Sequence, residues 1–114
     1  MRVEDLFIGA RISDPSGVPI TVTFDFLKTA SREYIKQCKD IPLDEETVSK
    51  MSFEGQYEVE VKPFSILNCS DGKATSYYVT YHDAVIATGI TKLSQLQLIC
   101  KALLIIIKTS NLEL

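Results

Sequence analysis

The apolar run from Thr91 to Thr109 leaves few options for the fold of this chain. Its apolar residues recur at alternating steps of three and four, a spacing that gathers them on one face of a helix. The members of this face are Leu93, Leu96, Cys100, Leu103 and Ile107. Because most of the remaining circumference is also apolar, such a helix has to be covered on more than one side. The pattern predicts a long C-terminal helix at the centre of the core.

Several alternatives compete with this helix. The run Ile105–Ile107 is β-branched, and periodicity alone does not separate a short apolar helical segment from a buried strand. The pattern persists for about five turns, which is longer than a typical strand and favours the helix. A membrane-spanning helix is disfavoured because Gln95, Gln97 and Lys101 interrupt the run. The apolar face could also serve as the seam of a homodimer.

The composition indicates one soluble globular domain over residues 1–114. The hydrophobic fraction is 46% and the charged fraction 24%, which are ordinary values, and the net charge of -3 disfavours nucleic-acid binding. The opening residues include Glu4 and Asp5 and do not have the apolar run of a signal peptide. The three cysteines form no C-x-x-C pair, which is typical of unpaired thiols in a reducing compartment. We expect a cytoplasmic protein.

The first part of the chain predicts two strands and a helix. Leu6 to Ile12 is typical of a short strand, and the cluster from Ser13 to Gly17 predicts a tight turn. Apolar and polar residues then alternate from Val18 to Phe26, which predicts a half-buried strand. The residues around Ala30–Cys38, starting at Leu27, have helical spacing and predict a helix.

The middle of the chain predicts a capped helix and further strands. Asp44 is placed to cap a helix from about Glu45 to Met51. Alternation from Tyr57 predicts a strand that bends at Pro63, and Asp71-Gly72 predicts a reverse turn.

Two more strands precede the C-terminal run. They are predicted at Thr75 to Tyr81 and Ala84 to Thr88, with a tight turn at His82-Asp83 between them. Thr91 is the expected N-cap of the long helix. The sequence as a whole predicts an α+β fold: an antiparallel sheet of four to five strands packed against a long C-terminal helix, with one or two short helices between the strand pairs.

Three landmarks occur in one order along the chain. They are Glu4-Asp5-Leu6-Phe7-Ile8-Gly9, Ile41-Pro42-Leu43-Asp44-Glu45-Glu46 and Ser94-Gln95-Leu96-Gln97. This order resembles small phage and mobile-element proteins of Bacteroides-like bacteria, which carry E-L-R-I-G-N, I-P-L-T-E-E and H-Q-L-Q-N there. The chain departs from them at Phe7, Ala10, Ser94 and Leu98. The resemblance implies a viral or mobile-element origin and no particular activity.

Catalytic and metal-binding patterns are not found in the sequence. His82 is the only histidine, and neither Cys69 nor Cys100 lies near it along the chain. One histidine and three dispersed cysteines give no ligand cluster, so we predict neither a metal site nor a cofactor. The carboxylates from Asp44 to Glu46 are explained by helix capping.

Aromatic residues instead indicate a contact surface. Tyrosine is favoured at protein interfaces, and we predict an interaction surface formed by Tyr57, Tyr77, Tyr78, Tyr81 and His82. The favoured function is a non-enzymatic protein-interaction module that binds a protein partner or associates with itself through the C-terminal helix. The alternative is a small-ligand-binding or enzymatic domain with a pocket between sheet and helix, using His82, Asp83 and a cysteine.

Overall fold

The computed structural model describes residues 2–55, 64–69, 76–109 and 112–113. These residues have an α+β architecture with three small antiparallel sheets and four α-helices. The chain divides into two compact units, Met1–Ile41 and Pro42–Leu114. The expected single domain stays a prediction.

The first unit contains a three-stranded sheet and two short α-helices. After a 3-10 helix at Val3–Asp5, its elements are β1 (Arg11–Ser13), β2 (Pro19–Thr21), α1 (Phe24–Thr29), α2 (Arg32–Gln37) and β3 (Lys39–Asp40). The strand order is β2-β1-β3. The predicted turn after β1 is present: the Asp14 carboxylate accepts hydrogen bonds from the amides of Ser16 and Val18, and Gly17 has a φ of +87°.

The predicted strand from Val18 to Phe26 is wrong in its second half. The hydroxyl of Thr23 accepts a hydrogen bond from the amide of Phe26 and caps α1, so the strand ends at Thr21. Phe24, which the alternation placed on the buried face, is 61% exposed. Val22, Phe24 and Phe26 recur at steps of two, which fits a strand. Thr23 can equally cap a helix that begins at Phe24.

The single helix predicted around Ala30–Cys38 is also corrected. The chain leaves α1 at Ala30, and Ser31 caps a separate helix by accepting a hydrogen bond from the amide of Tyr34 at 3.1 Å. Similarly, the first strand begins at Arg11 and not at Leu6. One hydrophobic cluster of the unit has the buried members Ala10, Ile12, Val22 and Cys38, and Ile35 on α2 is also buried.

The second unit contains the two other sheets and two α-helices. Its elements are α3 (Glu45–Ser49), β4 (Met51–Gly55), β5 (Phe64–Asn68), β6 (Tyr77–Tyr81), β7 (Ala84–Ile90), α4 (Leu93–Ala102), β8 (Ile105–Thr109) and β9 (Leu112–Glu113). The sheets have the orders β4-β8-β9 and β5-β6-β7. The rings of Phe53 on β4 and Phe64 on β5 lie 4.8 Å apart.

The long C-terminal helix predicted from Thr91 to Thr109 is wrong in its second half. The helix ends at Ala102, Leu104 takes a left-handed conformation with a φ of +57°, and Ile105–Thr109 continues as β8. β8 pairs antiparallel with β4, with Phe53 opposite Ile107. Ile105 and Ile107 are buried as alternate residues of a strand, whereas in a helix three successive isoleucines would point in three directions. β-branched side chains also suit a strand better than a helix.

The predicted sheet of four to five strands packed against that helix is corrected with it. The described strands form three sheets of at most three strands each, and α4 has ten residues and contacts β8. The sequence did not predict β4, although Met51 and Phe53 alternate with Ser52 and Glu54. That alternation is the signal by which β4 was detectable.

Predictions that rest on local hydrogen bonding fare better. The Asp44 carboxylate accepts a hydrogen bond from the amide of Thr47 at 2.7 Å, which confirms the predicted cap of α3. The tight turn at His82-Asp83 is confirmed between β6 and β7. The N-cap of α4 is Lys92 and not Thr91, and the amides of both donate to the side-chain oxygen of Gln95.

Some predictions fall on residues outside the described ranges. These are the strand from Tyr57, the bend at Pro63 and the turn at Asp71-Gly72. Among the helices that the structure describes, none combines the length and apolar composition needed to span a membrane.

Candidate interaction edge

The predicted interaction residues are spread over β6 and the turn that follows it. Tyr77 is buried and 1% exposed, Tyr78 and Tyr81 are half-buried, and His82 is exposed. Tyr57 lies outside the described residues. The five-residue surface stays a prediction, but its exposed part in the described chain is concentrated at the turn end of β6.

Tyr77 occupies an unusual environment at the other end of β6. Burial raises the pKa of Tyr77, and the carboxylates of Glu45 and Asp44 raise this pKa further. A hydrogen bond with the Glu45 side chain also contributes to the raised pKa of Tyr77. The neighbouring Asn68, which is paired with Tyr77 across β5 and β6, donates its side-chain amide to Glu45. Tyr77 is therefore a core residue that stays protonated at neutral pH.

Two non-glycine residues in the left-handed conformation form the turn between β6 and β7. His82 has a φ of +51° and Asp83 a φ of +63°, the left-handed pair that a two-residue hairpin turn requires. Asn-Gly or Asp-Gly would satisfy this conformation with less strain. The ring of His82 packs edge-on against Tyr81, with the centroids 4.5 Å apart. The turn is thus a defined projection at one end of the sheet.

Cys69 and His82, one of the pairs that the alternative function could use, lie at opposite ends of β6. Cys69 donates its amide to the carbonyl of Ser76 at 2.8 Å, before β6 begins, whereas His82 follows the end of β6. An extended strand rises about 3.3 Å per residue, so the two residues are separated by roughly 20 Å. Cys100 is buried, and burial raises the pKa of its thiol to about 12.

Burial makes the thiol of Cys100 unreactive. A thiol with a raised pKa is a poor nucleophile because the thiolate is the reactive form. All three cysteines lie in the described part of the chain, and none is in a disulfide. Residues 2–55, 64–69 and 76–109 contain no cluster of three His, Cys, Asp or Glu side chains suited to a metal ion.

The outer strand β7 carries the most accessible apolar pair of this sheet. Val85 is 58% exposed and Ile86 44% exposed, although they are adjacent in sequence. β7 pairs with β6 on one side and with no described strand on the other. We call Val85, Ile86 and the side of β7 that has no described partner strand the β7 edge. The strand was predicted from the sequence, but its exposed apolar residues were not. The adjacent pair Val85-Ile86 was the available signal, because neighbouring residues of a strand point to opposite faces.

Two irregularities shape this edge. The seven residues of β7 lie against the five of β6, and the pairing register shifts between Tyr77 and Val79 and again between Val79 and Thr80. Such bulges bend and twist a strand locally. Gly89, with a φ of +66°, lies in the first shifted stretch. The regular part of the edge is therefore short.

Comparisons of the chain with protein-family models, with curated proteins and with solved structures gave no match. The resemblance to phage and mobile-element proteins stays a prediction.

Proposed function

We propose that the protein is a non-enzymatic interaction module that binds a segment of another protein at the β7 edge. The observation that carries this proposal is the exposure of Val85 and Ile86 on a strand without a second described neighbour. An unpaired strand edge presents backbone donors and acceptors that an added strand satisfies, while side-chain contacts supply selectivity. An extended segment with small apolar side chains fits this edge.

The two bulges of β7 limit how such a segment binds. A long regular edge invites open-ended strand addition, and bulges are one device that prevents it. With only a short regular stretch, the β7 edge is suited to a segment of a few residues next to the His82-Asp83 turn. If the origin implied by the sequence resemblance holds, the segment belongs to a host or viral protein.

The α4 helix is less suited to association than the sequence indicated. Leu93, Leu96 and Cys100, the main members of its apolar face, are buried within the chain. Leu98 is the exposed large apolar residue of α4, at 49%. We therefore place the contact on β7, and self-association through α4 is an outcome that the test below detects.

The test uses two matched charge substitutions. Ile86→Lys places a charge on the β7 edge, and Leu98→Lys places the same charge at a similarly exposed residue of α4. The wild-type chain and both variants are immobilised and exposed to lysate of the natural host, and retained proteins are identified by mass spectrometry. We expect a partner that the wild type and Leu98→Lys retain and Ile86→Lys loses.

Other outcomes contradict the proposal. A partner retained equally by all three chains places the contact elsewhere. Light scattering after size exclusion gives the mass of each chain alone, and a dimer that Leu98→Lys abolishes and Ile86→Lys preserves would identify α4 as the interface. Thermal unfolding of both variants serves as the control for folding.

A further inference from the structure

We propose that residues 103–109 form a conformational switch, in which β8 detaches from β4 and its residues extend α4 as a helix. In the structure α4 ends at Ala102, and Ile105–Thr109 lies between β4 and β9 as β8. The segment contains neither glycine nor proline, so its own residues do not require this break. The strand is the major form, and the long helix is a minor form in equilibrium with it.

Leu104 is in an unfavourable state in the strand form. Its φ of +57° places a residue with a Cβ atom in the left-handed region, and its side chain is 51% exposed. In the helical form Leu104 would take an ordinary helical φ. It would also lie one turn beyond Cys100, on the face of α4 that is buried. One change of conformation therefore relieves the backbone and places this apolar side chain on an apolar face.

Ile107 is placed on an apolar face in either form. In β8 it is 1% exposed and lies opposite Phe53 of β4. Along the sequence it follows Cys100 by seven residues, which is close to two helical turns. A longer α4 would therefore keep Ile107 on the same face as Leu96 and Cys100, which are buried.

Ile105 distinguishes the two forms. In β8 it is 6% exposed and alternates with Ile107 on the buried face of the strand. In a continued helix Ile105 would point about 140° away from Cys100, because successive residues of a helix are separated by about 100°. Ile105 therefore stabilises the strand form and does little for the helical form.

The contacts of β8 are the ones that the switch would exchange. β8 pairs with β4 over five residues and with β9 over two. The Nζ atom of Lys108 lies 2.9 Å from Oε2 of Glu54, but both side chains are about half exposed, and such ion pairs contribute little. A ligand shifts an equilibrium of this kind when it binds one form only. An extended segment that pairs with β4 in place of β8 would therefore raise the population of the long helix.

The first test uses the full wild-type chain labelled with ¹³C and ¹⁵N. Chemical-exchange saturation transfer detects a minor conformer and gives its ¹³Cα shifts, which move in opposite directions from the unfolded values for a helix and a strand. We expect a minor state of roughly 1–10% in which residues 103–109 have helical ¹³Cα shifts. The strands of the β6–β7 hairpin, at residues 77–90, are expected to keep their ¹³Cα shifts in both states.

The second test uses matched alanine substitutions. Ile105→Ala removes a side chain that is buried in the strand form and improves helix propensity, so it is expected to raise the helix-to-strand ratio about 30-fold. Ile107→Ala removes the same side chain from the apolar face of both forms and is expected to leave the ratio within about threefold. In the Ile105→Ala background, Leu104→Gly is expected to lower the ratio about tenfold relative to Leu104→Ala, because glycine accepts the left-handed corner and disfavours the helix.

Three results would overturn the proposal. They are a wild-type chain without a helical minor state whose Ile105→Ala variant also stays a strand, ¹³Cα shifts of an unfolded chain at residues 103–109 in the minor state or in Ile105→Ala, and equal ratios for Ile105→Ala and Ile107→Ala. If Ile105→Ala unfolds the whole chain, the wild-type measurement decides alone. The lack of a helical minor state in it then overturns the proposal.

Discussion

Leu104 lies where the predicted continuous helix and the observed strand differ. Replacing it by glycine or alanine is expected to change stability in opposite directions in these two conformations. In the structure Leu104 has a φ of +57°, follows the end of α4 and is 51% exposed. A residue with a Cβ atom in this left-handed region is destabilised by about 1–2 kcal/mol, whereas glycine enters it without steric cost. We expect Leu104→Gly to stabilise the chain relative to Leu104→Ala.

The size of the effect follows from two opposing terms. Glycine gains about 1–2 kcal/mol by relieving the left-handed conformation, and it loses roughly 0.5–1 kcal/mol because its unfolded chain is more flexible. The net gain over alanine is about 0.5–1 kcal/mol. If the helix instead continued through Leu104, glycine would cost about 1 kcal/mol relative to alanine. The difference in unfolding free energy between the glycine and alanine variants therefore has opposite signs for the two structures, and the two values lie roughly 2 kcal/mol apart.

The measurement is urea unfolding followed by tyrosine fluorescence. Four of the five tyrosines belong to residues 42–114, so the signal is dominated by the unit that contains Leu104. Leu104→Ala is the matched control, because it removes the same exposed side chain and retains the Cβ atom. A free energy of unfolding that is lower for the glycine variant than for the alanine variant would refute the left-handed corner and restore the continuous helix.

Four further substitutions or treatments test the described structure. Asp83→Gly is expected to raise the free energy of unfolding by roughly 0.5–1 kcal/mol, because Asp83 has a φ of +63°, and Asp83→Ala is expected to give no such gain. Asp44→Ala is expected to lower stability and Asp44→Asn to restore it. Because hydrogen bonding to the Thr47 amide lowers the pKa of Asp44 from 3.8, the unfolding curves of wild type and Asp44→Ala should converge as the pH falls through that lowered pKa. In alkali, stability is expected to fall from pH 9 towards pH 12, because burial holds the Cys100 proton up to a pKa of about 12 in the folded chain. Cys100→Ala should flatten that decline, and an unchanged slope would contradict the burial of the thiol. Iodoacetamide is expected to alkylate the exposed Cys69 well before Cys100, as measured by mass spectrometry of digests.

The β7 edge shows how far sequence reasoning reached towards the candidate site. The hairpin around His82-Asp83 was predictable, since a turn dipeptide flanked by alternating residues is a local signal. The exposure of Val85 and Ile86 was not, because it depends on which strands lie beside β7. An edge strand and a central strand have similar sequences, and only the strand order tells them apart.

The arrangement of α1 and α2 was missed for a related reason. The alternation from Val18 to Phe26 predicted one strand, so Phe26 was assigned to a sheet face and not to a helix beside Tyr34. The Thr23 and Ser31 caps divide this region into a strand and two helices. Each cap is worth about 1 kcal/mol, which is enough to decide between conformations of similar intrinsic preference.

By itself the sequence determined the α+β class, the cap at Asp44 and the turn at His82-Asp83, because each depends on residues within a few positions of one another. Tertiary structure decided the conformation of the run that ends the chain. Ala102 to Ile107 is apolar enough for either a helix or a strand. Ile105 to Thr109 became a strand because β4, at least fifty positions earlier in the chain, pairs with it residue by residue. Periodicity within the run contains no information about that distant partner, and the backbone hydrogen bonds to it select the strand.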